Sequence, residues 1–124
     1  MSATQTNDFV TEVNLTIDID RPCEAAFRGL IDQLTLLNTG EGNAPMPLVL
    51  EEWPGGRWYR DLGNNTGHNW AHVQSIKPPH LLEFHGPMFM SYAVASNVIV
   101  RIAPTETGCT LTFRHQIFGP LPEE

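Results

Sequence analysis

The chain is poor in positive charge and in cysteine, and it has no long apolar run. Against 14 Asp and Glu it carries only 7 Lys and Arg, a formal charge of −7 with neutral histidines. So acidic a chain lacks the basic footprint that nucleic acid and anionic membrane surfaces select, and neither is expected as a partner. No stretch approaches the roughly 18 consecutive apolar residues of a membrane-spanning helix. The opening MSATQTNDF has neither a basic start nor an apolar core, so no signal peptide is expected and the cytoplasm is the predicted location. The two cysteines, Cys23 and Cys109, are far apart. Without a secretory signal they read as reduced, packed thiols rather than a disulfide, and the sequons at Asn14 and Asn64 carry no meaning.

Catalytic and metal motifs are also missing. There is no CxxC and no HExxH. His68 and His72, four apart on a strand, would lie roughly 13 Å from each other, too far to share one zinc. No metal and no cofactor is therefore expected. The serines lack a GxSxG elbow, and GEG at 40–42 has no following Lys-Ser or Lys-Thr and no strand-to-helix setting, so it is not a phosphate loop. The pairs Glu51-Glu52 and Glu123-Glu124 are chain neighbours that face opposite ways on a strand, not an acid/base dyad.

What is present is periodicity. A 124-residue chain with 41% apolar residues is long enough for one core. Residues 1–9 are polar and expected to fray, leaving 10–124 as a single domain. TEVNLTIDID alternates, with Val13, Leu15, Ile17 and Ile19 on one face: a half-buried strand. In DRPCEAAFRGLIDQL the apolar positions Cys23, Ala26, Phe27, Leu30 and Leu34 recur at helical steps, with Asp20 as expected N-cap and Pro22 in the first turn. After the loop NTGEGNAPMP the period returns to two. LVLEEW, RWYRDL, HNWAHVQSI, HLLEFHG, SNVIVRI and CTLTFRHQI read as six strands joined by tight turns such as GNNTG and PTETG. Strand, helix and six strands make an α+β chain with an antiparallel sheet, one face of which must be covered.

Two polar residues stand out against this pattern. His115 shares its face with Leu111 and Phe113; it is either a hydrogen-bonded core histidine or a polar group projecting into a cavity. Arg60 shares a face with Trp58 and needs an acceptor if buried. Alternation also places Ala71 and Val73 inward and Trp70 half-exposed. The aromatic residues of GGRWYRDLGNNTGHNWAHV are read either as packing for a twisted hairpin or as a ligand-lining wall.

The segments IDRPCEAAFRGLID, GGRWYRD, HNWAHVQSIKPPHLLEFHGP and TGCTLTFRHQIFG together resemble the domain related to the C-terminal part of the Aha-type activator of the heat-shock-protein-ninety ATPase. That domain belongs to the START-like, or SRPBCC, superfamily, and the similarity runs from about residue 10 to 120. It implies a helix-grip fold, a curved antiparallel sheet of six or seven strands wrapped on helix around a cavity. Ala71 stands where that family often has glycine, and nothing after PLPEE supplies the family's long C-terminal closing helix, so that helix is expected to be missing.

Three functions follow as expectations. The first is a module binding a small, mostly apolar molecule, lined by Phe27, Leu34, Trp53, Trp58, Phe84, Met88, Met90, Val98, Val100, Phe113 and His115. The second, implied by the resemblance alone, is a stress-related co-chaperone-like regulator of a heat-shock ATPase. The third is a cavity enzyme with His115 as acid/base and Arg60 as anion clamp. One sheet face left open predicts either a homodimer through that face or a truncated or partly ordered form of a longer chain.

Overall fold

Ten consecutive residue pairs, from Val10↔Phe118 to Ile19↔Cys109, join the first strand to the last. That pairing organises the molecule, seen in a computed structural model that describes residues 9–88 and 93–120. The strands are β1 (Val10–Ile19), β2 (Val49–Leu50), β3 (Arg57–Gly63), β4 (Thr66–Lys77), β5 (Leu81–Gly86), β6 (Ala95–Pro104) and β7 (Cys109–Phe118). They form one curved antiparallel sheet in the order β1-β7-β6-β5-β4-β3-β2, open at both edges. The helix, α1 (Cys23–Leu34), lies across its inner face.

Local chemistry sets the turns. Asn64 and Asn65 both take positive φ, 54° and 61°, the backbone that a two-residue hairpin between β3 and β4 needs. The β6–β7 turn is closed by Thr105 N–H donating to the Gly108 carbonyl and Gly108 N–H to Thr105 Oγ1. The double glycine has a steric origin: Gly55 has φ +85°, and a Cβ on Gly56 would collide with the Glu51 carbonyl. Arg57 locks the same corner with two guanidinium bonds to the Glu51 carboxylate, at 2.7 and 3.0 Å, and a backbone N–H bond at 2.8 Å. Its guanidinium also lies 4.4 Å from the centre of the Tyr59 ring. These bonds hold the Glu51 carboxyl down at about 2.

Two local expectations are corrected. The helix begins at Cys23, with Pro22 in the cap position and no side-chain cap bond, so Asp20 does not serve as N-cap. A pyrrolidine with φ fixed near the required value starts the helix in place of a capping oxygen. LVLEEW yields only the two-residue β2, because residues 51–56 turn sharply under the Arg57–Glu51 clamp.

Cys23, Ala26, Phe27 and Ile31 of α1 pack onto Trp58, Ala71, Val73, Leu82, Phe84, Val98, Val100, Ile102, Cys109 and Leu111 of the sheet. Both cysteines are free thiols in this core. Alternation along each strand turns one residue in two toward α1, and antiparallel register lines these up in rows across the sheet. One row runs Thr11, Ile117, Ser96, Gly86, Ala71, Trp58, Leu50; the next runs Val13, His115, Val98, Phe84, Val73.

Candidate ligand face

The helix covers only part of the inner face. Trp58 is 5% exposed; it stacks on Phe84 with ring centres 5.1 Å apart, meets Trp70 edge-on at 5.5 Å, and donates from Nε1 to the Leu34 carbonyl at 2.8 Å. The close approach to Trp70 comes from a bulge: Trp58 pairs with Ala71 and Tyr59 with Asn69, so Trp70 is an extra residue. Ala71 and Val73 are buried and Trp70 half-buried, as alternation required. Phe27, Trp58, Phe84, Val98 and Val100 are thus all buried in one cluster, with Leu34 and Met88 partly buried against it.

Toward β1 the cover runs out. Val13, Leu15 and Ile17 point to the inner face yet are 42%, 52% and 47% exposed. Their partners across the strand pair are His115, Phe113 and Leu111. Phe113 and His115 are half-buried, with rings edge-on at 6.3 Å. Burial among apolar side chains pushes the His115 imidazole below the ordinary histidine range, because the charged form loses hydration. The result is an apolar stripe with one largely neutral imidazole set in it, on a face open to solvent.

Other expected site residues fall elsewhere. Trp53 is 57% exposed on the turn between β2 and β3, outside the core, because the 51–56 corner carries it away from the sheet. Met90 lies outside the described residues. Arg60 is half-buried, opposite His68 in an open cleft of about 470 Å³ around the β3–β4 hairpin. β3 and β7 are four strand steps apart, roughly 19 Å along the sheet. Arg60 and His115 also lie on opposite sides of the Trp58 row. The structure does not bring them together. Among the described residues no group of three His, Cys, Asp or Glu side chains is placed to hold a metal ion. No described helix is long and apolar enough to cross a membrane.

Sequence reading missed the cross-strand contacts. His72 and His85 pair directly between β4 and β5, with ring centres 6.0 Å apart on the outer face. No sequence spacing announces such a pair, since it depends on the register set by a bulge between Val73 and Ser75.

Comparison with solved structures fits this geometry. Protein CV1439 from Chromobacterium violaceum superposes with a TM-score of 0.67 at 13% identity, over 90% of this chain and 83% of that one. The di-domain ARO/CYC StfQ from the steffimycin biosynthetic pathway gives 0.61 at 15% identity, over 94% of this chain and 39% of StfQ. CalU16 from Micromonospora echinospora gives 0.57 at 15%, over 86% of this chain and 58% of CalU16. The fold is the helix grip. No protein-family model matches the chain, and no curated protein matches it. Identities this low carry the fold alone, and nothing in these comparisons supports the heat-shock activator.

Proposed function

We propose that this helix-grip domain is a cytoplasmic binding module for a small, mostly apolar molecule held against the inner face beside α1. One observation carries the reading: the stripe of Val13, Leu15 and Ile17 is turned toward the inner face, is apolar, and is left exposed beside half-buried Phe113 and His115. Val98 and Val100 form its floor, and the half-buried His115 imidazole is the one polar ring set beside it. The free, buried thiols of Cys23 and Cys109 support a reducing compartment.

The test is thermal-shift screening with lipids, flavonoids and aromatic acids. A binder raises the transition temperature by mass action on the native state. The rise should disappear in Leu15→Lys, whose exposed position leaves the fold intact. If no class of compound shifts the transition, the reading fails. The same stripe supports a second reading, a symmetric dimer in which two copies cover each other's open face; ligand and dimer would then compete for one surface.

A further inference from the structure

The outer face of the sheet, away from α1, carries the His72–His85 pair. The inward residues Ala71, Val73, Phe84 and Gly86 are buried, so both histidines between them point to solvent, and both are exposed. They sit opposite each other on β4 and β5, two strands inside the sheet that are held by pairing on either side. The backbone under them is tight: a Cβ on Gly86 would stand 2.6 Å from the Ala71 Cα. The two imidazoles are thus exposed at their tips and fixed at their roots.

We propose that His72 and His85 form a two-imidazole site for a divalent transition-metal ion. A metal bonded at about 2.0–2.1 Å to an imidazole nitrogen lies roughly 3.2 Å from the ring centre. Two such rings at a tetrahedral angle have centres about 5.2 Å apart. The observed 6.0 Å is less than about 1 Å wider, a gap closed by small rotations of two exposed side chains. Arg57, the neighbour of His72 on β3, does not oppose the ion strongly, since its charge is taken up by the Glu51 carboxylate. Glu83, two residues before His85 and on the same face, adds negative charge nearby. Among the described residues no third His, Cys, Asp or Glu joins the pair, so the remaining coordination positions are assigned to water.

Neutral imidazole donors select Cu(II), Ni(II) and Zn(II), with Cu(II) strongest, and reject Mg(II) and Ca(II). Because the site bridges two strands of the folded sheet, the ion stabilises the native state. The site faces away from the proposed ligand stripe, so its test is independent of that reading.

The experiment titrates the full chain with Cu(II), Ni(II), Zn(II) and Mg(II) by calorimetry, with Cu(II)-induced broadening of the histidine ring signals read by NMR. One Cu(II) or Zn(II) per chain is expected, with the His72 and His85 signals broadened first and the transition temperature raised. His72→Ala and His85→Ala should each weaken binding at least about tenfold; His68→Ala, on the same strand, should leave it unchanged. Thermal melts without metal establish that the variants fold. Absence of one-to-one binding overturns the proposal. So does equal loss in His68→Ala, or broadening centred on another histidine.

Discussion

The indole Nε1 of Trp58 reaches across the core and donates to the carbonyl of Leu34, the last residue of α1, at 2.8 Å. The bond ties the end of the helix to the third strand, and the ring stacked on Phe84 fills the space beneath. Trp58→Phe keeps much of the packing but removes the donor, and should cost about 1–3 kcal/mol in denaturant unfolding. Trp58→Ala removes both and should cost about 3–5 kcal/mol. A loss under roughly half a kcal/mol in both variants would show that the helix end is held by other contacts.

Two glycines with opposite surroundings give a paired expectation. Gly86→Ala places a Cβ 2.6 Å from the Ala71 Cα and 2.7 Å from the Trp70 carbonyl, backbone atoms that cannot give way cheaply. It should destabilise by about 1–3 kcal/mol. Gly29→Ala, in the exposed interior of α1 with nothing within 4 Å, should stabilise by up to about 1 kcal/mol. Equilibrium unfolding of both variants reads the difference directly.

His115 gives stability a pH dependence whose sign follows from its lowered titration point. The unfolded chain takes up a proton near pH 6.5, whereas the folded chain resists until a lower pH. Stability therefore falls as pH drops below about 6.5 and stops falling, for this group, once the folded imidazole is protonated too. His115→Leu should flatten the stability profile between pH 7.5 and 5. Glu51 acts in a lower window. Its contribution is complete above the ordinary carboxylate range and is lost as pH falls toward about 2, so Glu51→Gln should reduce acid sensitivity only below roughly pH 4.5.

The uncovered stripe on β1 predicts concentration-dependent self-association. Sedimentation velocity should show a dimer that Leu15→Lys converts to monomer, while Thr16→Lys, on the other face of the same strand, has no such effect. A monomer at every concentration, for the wild-type chain, removes the dimer reading and leaves the face to a ligand.

Much of the architecture was legible because its causes are local. The alternation of Val13, Leu15, Ile17 and Ile19, the helical steps of Cys23, Ala26, Phe27 and Leu34, and the Asn-rich turn at 64–65 each encode one element. Trp58, Phe84, Val98 and Val100 stand on the inward face, as period two alone assigns a face without knowledge of partners. Trp53 shows the limit: its fate was decided by the corner that Arg57 and Glu51 lock, a contact between residues six apart. Arg60 and His115 show another, for sharing a face says nothing about the four strand steps between them. What fills the open inner stripe lies beyond both, because it is not encoded in the rows that build it.

The three tryptophans stand at three depths. Trp58 is 5% exposed against the end of α1, Trp70 is half-buried beside it, and Trp53 is 57% exposed on its corner. Emission from such a set is a composite whose blue component comes from Trp58 and whose quenchable red component comes from Trp53. Lifting α1 from the sheet would redden the first and leave the second untouched. The chain carries its own optical gauge of helix docking, one that needs no added label.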